Sequence, residues 1–321
     1  MSNFRNWTIV ILLVVNVSLL ITIFFLISNL NSLAEQNSEF TKKFAENPQY
    51  DLLSPNLAWQ QVETYSRRSD NVLYYQLKSE LLNSDVFNRP GRYSVYVENL
   101  KTGSSFGIRE NDVFIPASLL KVPVMVSVVK KIELEEYSTE DRLVILKEDY
   151  VPGSGILTES AIGQSYTIKE LLEIMMKYSD NTATMALTRL LTDEDIIGAK
   201  IALGLPYKDQ TYRISPKGYA GMLRSLYFSG YLRESFSQLA LSIMLDTEFS
   251  SQLPAKLPEG TKIAHKVGFF DDGGYHHDCG IVYLDRVDYI ICVMSANTTK
   301  QDADYVISEV SKKVYDFMIR V

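Results

Sequence analysis

The stretch Phe114-Ile115-Pro116-Ala117-Ser118-Leu119-Leu120-Lys121 sets a hydroxyl and an amine one helical turn apart. Free serine scarcely ionises at neutral pH, so it attacks a carbonyl only as a base removes its proton. A lysine at i+3 lies on the same helical face, within reach. Pro116 suits the first turn of a helix, which would place Ser118 at the positive end of the helix dipole. That field, the apolar neighbours Leu119, Leu120 and Val122, and any second cation nearby would all push the Lys121 amine toward its neutral, proton-accepting form.

Ser-x-x-Lys by itself is a weak signal, expected about once by chance in a chain of this size. Ser127-Val128-Val129-Lys130 is a second match. It falls deep in the same helical segment, with Lys130 beside Lys131, and reads as a small core residue followed by solvated lysines. Ser118 is set apart by two motifs downstream of it: Ser179-Asp180-Asn181, and then His265-Lys266-Val267-Gly268. Three such elements in that order resemble the class A β-lactamase and penicillin-binding protein superfamily, whose signatures are Ser-x-x-Lys, Ser-Asp-Asn and Lys-Thr-Gly. The resemblance covers roughly residues 85 to 321 and extends to Gly153-Ser154-Gly155-Ile156-Leu157. Two other matches, Ser69-Asp70-Asn71 and Lys101-Thr102-Gly103, precede Ser118 and violate the order. The first reads as the cap of a helix over Val72 to Leu82, the second as a hairpin turn between the strand-like runs Tyr93 to Val97 and Ser105 to Ile108.

The resemblance implies a role for each matching residue. Ser118 would be the nucleophile and Lys121 its base; Ser179 would relay a proton to the departing nitrogen, with Lys266 shaping the field around it. Asn181 would hold the substrate amide. The backbone N–H groups of Ser118 and Phe269 would form the oxyanion hole, and Gly268 would let the substrate lie along the strand edge as an added strand. Asp180 is read as structural, at the joint between helices. Tyr150 and Ser154 stand either at the pocket rim or in a plain loop.

Two departures from the family pattern shape the expected activity. Val267 replaces threonine and cannot donate a hydrogen bond to a substrate carboxylate, a loss of about 1.5–3 kcal/mol. Between Asn181 and Lys266 no acid begins the Glu-x-x-Leu-Asn pattern that supplies the deacylating glutamate of class A β-lactamases; Asp193, Glu194 and Asp195 read as helix-capping acids, and Asp209 has no Leu-Asn after it. The implied function is therefore a serine acyl-enzyme hydrolase or transpeptidase acting on β-lactam or cell-wall peptide amides, with slow deacylation. A catalytically idle relative that binds at the cell wall, and a β-lactamase with another deacylating base, stay open. No cofactor is expected. His265, His276 and His277 with Asp271, Asp272 and Asp278 follow no familiar ligand spacing, and no metal is expected there.

The chain has 321 residues, 46% hydrophobic and 22% charged, enough to bury a substantial core. Its net charge of −7, without a long basic run, argues against nucleic acid as a partner. Trp7 to Leu30 is uncharged and long enough, at about 1.5 Å per residue, to cross a hydrocarbon layer of about 30 Å. Arg5 and the amino terminus flank it on one side, and Glu35 and Glu39 come before Lys42 and Lys43 on the other. Positive-inside logic then puts residues 31 to 321 outside the cytoplasm. A cleaved signal peptide, with Ser32-Leu33-Ala34 as its site, is the alternative. The expected organisation is a cytoplasmic tail over 1–6, a transmembrane helix over 7–30, a stalk over 31–68 and a hydrolase domain over 69–321, as a monomer on a bacterial cell membrane.

The fold class expected is α+β. A helix over about 70–83 leads to strands over 92–99 and 104–110; strands over 262–269, 278–284 and 287–295 precede a closing helix with Val306, Val310, Val314 and Phe317 at helical spacing. Together they imply a five-stranded antiparallel sheet built from both chain ends, with a helical lobe inserted. Val122, Val124, Val126 and Val128 alternate like a strand, and Pro123 obstructs a helix; the resemblance nevertheless implies a helix there, distorted by Pro123 in its first turns. Thr167-x-x-Glu170 is a capping box, and Thr192 to Asp195 cap a further helix. A tight turn at Asp285-Arg286 would set the two cysteines, Cys279 and Cys292, opposite each other. Buried unlinked thiols are expected, since directly opposed strand positions seldom suit a disulfide.

Overall fold

The computed structural model describes residue 52 and residues 66–205 and 213–320. In chain order, α1 (Ser66–Leu82) leads to β1 (Arg92–Asn99) and β2 (Ser105–Ile108), and a 3-10 turn, Ala117–Leu120, runs into α2 (Lys121–Glu133). A two-stranded ribbon, β3 (Arg142–Val144) with β4 (Ser165–Thr167), precedes α3 (Ile168–Lys177), α4 (Asn181–Thr188) and α5 (Asp193–Ala202). After α6 (Pro216–Tyr227) and α7 (Glu234–Leu245) come β5 (Lys262–Phe270), β6 (Tyr275–Tyr283), β7 (Tyr289–Ala296) and α8 (Lys300–Met318).

The large sheet runs in the order β2-β1-β7-β6-β5, antiparallel at every pairing. Both its faces are covered, which is why its central strands read as continuous apolar runs instead of alternating with polar residues. On β1, Tyr93, Val95 and Val97 pack with α1 and α8, while Tyr96 joins the cluster built around α2, α3 and α6. Val306, Val310, Val314 and Phe317 of α8 are buried against the first of these faces. The helical lobe lies between the two halves of the sheet in sequence, as expected.

The valine-rich segment is helical. Val122, Met125, Val126, Val128 and Val129 of α2 are fully buried, and that burial outweighs the local β-propensity of the run. Pro123 is the third residue of α2, within its first turn, where an α-helix best tolerates a proline. The preceding turn is 3-10 rather than α. Both expected capping boxes are present, Thr167 with Glu170 and Thr192 with Asp195.

Three local readings are corrected. Helix α1 begins at Ser66, so Ser69-Asp70-Asn71 lie within it and not at its cap. Strand β6 begins at Tyr275, three residues earlier than expected, because the chain reverses at Gly273 and Gly274, both at positive φ. Cys279 and Cys292 are partners across β6 and β7 as the turn implied, but they form a disulfide rather than free thiols. Their Cα atoms are 4.0 Å apart, the close spacing of a non-hydrogen-bonded pair, where two side chains meet.

The apolar run Trp7 to Leu30 and nearly all of the stalk assigned to 31–68 lie outside the described residues. Among the described residues no helix is long and apolar enough to cross a membrane. Leu52, assigned to the stalk, is buried; its N–H donates to Gln238 Oε1 at 3.0 Å and its carbonyl accepts from the Tyr283 hydroxyl at 3.1 Å.

Candidate active site

Two turns with unusual backbone bring the expected site residues together. Ala117, just before Ser118, and Ser179 both adopt left-handed conformations, with φ of 49° and 55°. Such positions cost of order 1–3 kcal/mol and persist where the surroundings hold them. The Ser118 turn is held from behind by β6: His277 Nε2 donates to the Ile115 carbonyl at 2.8 Å, while its Nδ1 accepts from Ser295 N–H at 3.2 Å. Those bonds fix the neutral tautomer, and burial pushes the His277 pKa down to about 4. The Tyr219 hydroxyl donates to the Leu119 carbonyl at 3.3 Å, securing the other side of the turn.

The Ser179 turn is held by Asp180. Its Oδ1 caps α4 through Ala183 N–H at 2.7 Å, and its Oδ2 accepts from Ile156 N–H at 2.7 Å and Leu157 N–H at 2.8 Å. This ties the Gly153 to Leu157 stretch to the joint between α3 and α4, the structural role expected of Asp180. A Cβ on Gly155 would lie 2.1 Å from Asp180 Oδ2, so only glycine admits the carboxylate there. The Ser154 carbonyl accepts from Asn181 N–H at 3.0 Å, so Ser154 acts through its backbone.

At the meeting point stands Lys121. Its Nζ lies 2.9 Å from Ser118 Oγ, 2.8 Å from the Ser179 carbonyl, 3.3 Å from Ser179 Oγ and 2.7 Å from Asn181 Oδ1. The two nearest partners can only accept. A neutral amine would give them its two N–H bonds and turn its lone pair toward the Ser118 hydroxyl, which is the arrangement a base needs. Burial lowers the Lys121 pKa to about 8, against the opposing pull of Asp180.

Lys266 is 1% exposed, and its pKa is lowered to about 7 by burial first and then by repulsion from Lys121, with Asp278 opposing. Its Nζ is 3.3 Å from the Val267 carbonyl and 5.3 Å from the centre of the Phe249 ring. Gly268 lets β5 approach the Ser118 turn: a Cβ there would lie 2.7 Å from the Pro116 carbonyl oxygen and 3.0 Å from Leu119 Cγ. Val267 is buried and Phe269 is 40% exposed. Of the histidine and acidic residues considered for metal binding, His265 Nδ1 pairs with Asp278 Oδ1 at 2.8 Å, and Asp278 Oδ2 accepts from Leu253 N–H at 3.0 Å.

Ser118, Lys121, Ser179 and Asn181 thus share one hydrogen-bonded cluster, with Lys266 coupled to it electrically and Gly268 packed on its turn. The alternative pair is drawn elsewhere. Ser127 Oγ donates back to the Pro123 carbonyl at 2.9 Å, and Lys130 Nζ donates to the Tyr231 carbonyl at 2.9 Å and to Glu133 at 3.1 Å. The roles of Phe249, His277 and Tyr219 went unrecognised in the sequence, where His277 was weighed only for metal binding. None belongs to a motif, and their roles depend on partners far along the chain. Asp209 lies outside the described residues.

Comparison with known proteins points in one direction. A model described as the β-lactamase enzyme family matches residues 76–318. A β-lactamase of Proteus vulgaris is 25% identical over 238 residues, covering 67% of this chain and 85% of that protein. The structure of PBP-A superposes with a TM-score of 0.68 at 24% identity, covering 78% of this chain and 97% of the other. A mutant of PBP-A, solved as an acyl-enzyme complex with penicillin G, superposes equally well, with a TM-score of 0.68 at 24% identity, again covering 78% and 97% of the two chains. These two structural likenesses are likenesses of fold.

Proposed function

The chain belongs to the β-lactamase enzyme family of serine hydrolases, and from that premise we propose a membrane-anchored, extracytoplasmic acyl-enzyme hydrolase or transpeptidase. It acts on β-lactam or cell-wall peptide amides and releases its acyl group slowly. The observation that carries this reading is the contact of 2.9 Å between Lys121 Nζ and Ser118 Oγ, with the amine's pKa lowered to about 8. As Ser118 Oγ bonds to the carbonyl carbon, its proton passes to Lys121 and the carbonyl electrons move onto oxygen. The N–H groups of Ser118 and Phe269 would receive that oxyanion. Collapse expels the amide nitrogen, which takes a proton through Ser179, leaving an ester on Ser118. Attack by water, or by an amine in transpeptidation, completes the cycle and restores the serine hydroxyl.

Release is the weak half. A dedicated general base contributes about 10²–10⁴ in rate, and the family's glutamate pattern is missing between Asn181 and Lys266. Penicillin G mixed with the full chain in detergent is expected to give a burst near one equivalent of acylated protein, followed by slow turnover. Intact-mass and stopped-flow measurements read both phases. Rapid multiple turnover would mean that another base operates, and would favour the β-lactamase reading.

Acylation should also depend on pH in a stated direction. Lys121 must be neutral to accept the proton, so the acylation rate is expected to climb from pH 6 through a midpoint near the Lys121 pKa of about 8 and level off above it. A rate that falls over this interval would exclude Lys121 as the base. The same two lysines bind fewer protons folded than unfolded, since their folded values lie below the ordinary 10.5. Stability from this source therefore grows as pH rises from about 7 toward 10.5, and is lost on the way down.

Membrane anchoring rests on the uncharged run Trp7 to Leu30 and the charge asymmetry around it. The full chain expressed in bacteria is expected to stay in the membrane pellet after alkaline carbonate extraction; release into the supernatant would oppose the anchor.

A further inference from the structure

Beyond Gly268, the open end of β5 carries a wall that belongs to no sequence motif. Phe269 and Phe270 remain 40% and 45% exposed. The Phe249 ring lies 6.3 Å from that of Phe269, and the Tyr275 ring 6.5 Å from that of Phe270. The same Phe249 ring stands over the Lys266 amine, 5.3 Å from its centre, and that amine is itself buried. Asp271 and Asp272 are exposed at the adjoining turn. Val267 offers methyl groups where the family pattern has a hydroxyl.

A carboxylate arriving here would meet an ammonium roofed by a phenyl ring, find no hydroxyl at position 267, and lie along a strand whose adjoining turn carries the exposed carboxylates of Asp271 and Asp272. The missing hydroxyl and the carboxylates disfavour an anion; the Lys266 charge by itself would attract one, but the phenyl ring covers it. An apolar group would instead remove two half-exposed phenyl rings from water and stack on them. Resting on the reading of Ser118 as nucleophile, we propose that the substrate is an ester or amide whose portion beyond the scissile carbonyl, lying along the end of β5, is uncharged and apolar. It is an internal or blocked acyl derivative instead of one ending in a free carboxylate. β-Lactams, which carry a carboxylate, then still acylate Ser118 faster than they are released, but more slowly than an uncharged ester does.

Two esters of phenylacetylglycine, the phenyl ester and the 3-carboxyphenyl ester, share an acyl group and differ by one carboxylate on the leaving group. With either, the bond from Ser118 Oγ to the acyl carbon forms as the phenolic oxygen leaves. The serine proton passes through Lys121 to that oxygen, and water later splits the acyl-enzyme. For the full chain in detergent, kcat/KM for the phenyl ester is expected to exceed that for the carboxyphenyl ester by about tenfold or more, after correction for hydrolysis in buffer alone. The double variant Phe249→Ala with Val267→Thr, which unroofs Lys266 and restores a hydroxyl, should narrow the gap by about tenfold. Equal or faster reaction of the carboxyphenyl ester with the unmodified protein would overturn the proposal. A small neutral fluorophosphonate separates the two layers of the argument. Labelling at Ser118 combined with a preference for the charged ester sinks this inference alone, whereas no labelling at Ser118 sinks the nucleophile assignment and this inference with it.

Discussion

Ser118→Ala is expected to abolish acyl-enzyme formation with penicillin G or a fluorophosphonate, while Ser127→Ala leaves it largely intact. Both serines have a lysine at i+3, so sequence spacing alone ranks them equally. The hydrogen bonds do not: Lys121 Nζ is 2.9 Å from Ser118 Oγ, whereas Ser127 Oγ is committed to the Pro123 carbonyl. Lys121→Ala should still bind substrate yet acylate more slowly by about 10²–10⁴, the usual contribution of a positioned base. Intact-mass spectrometry after timed quenching gives the extent of labelling, and peptide mapping gives the residue. Equal labelling of the two serine variants would remove Ser118 from its assigned role. Acylation of Lys121→Ala at the unmodified rate would do the same for the base.

Asp180→Ala is expected to be the most destabilising single change near the site. The carboxylate is fully buried and accepts from three backbone N–H groups, those of Ala183, Ile156 and Leu157. Removing it takes away a helix cap, worth about 1 kcal/mol, and strands two further donors at about 1–3 kcal/mol each. The expected loss is about 3–7 kcal/mol, and for a domain of this size about 10 °C or more in Tm. Asp180→Asn keeps one good acceptor and should lose about half as much. Because the Asp180 charge raises the Lys121 pKa, its removal should also move the midpoint of the acylation pH profile below about 8. A melting temperature within a degree or two of the unmodified protein would show that these three bonds contribute little.

The order of motifs made much of the site legible. Ser118, Lys121, Ser179 and Asn181 form one bonded cluster, because the pair Ser118 and Lys121 is a matter of helical spacing and Ser179 and Asn181 belong to a single turn. The helix starts at Thr167 and Thr192 were equally readable, since each cap reaches only three residues along the chain. Phe249 was invisible by comparison. Nothing near it in sequence marks it, and it acquires a role only because β5 folds Lys266 beneath its ring.

By itself, then, the sequence determined whatever depends on neighbours within a turn or on a shared register: the meeting of Ser118 and Lys121 at i+3, the capping boxes, and the facing of Cys279 and Cys292. Tertiary structure alone decided the rest. It made Lys121 to Glu133 a helix against the alternation of its valines, because burying that face is worth more than local propensity. It joined the two cysteines, set Asp180 against Gly155, and sealed Lys266 from water so that its charge became costly. Each of these outcomes is an interaction between segments far apart in the chain, and its energy comes from distances and desolvation that exist only once those segments are packed together.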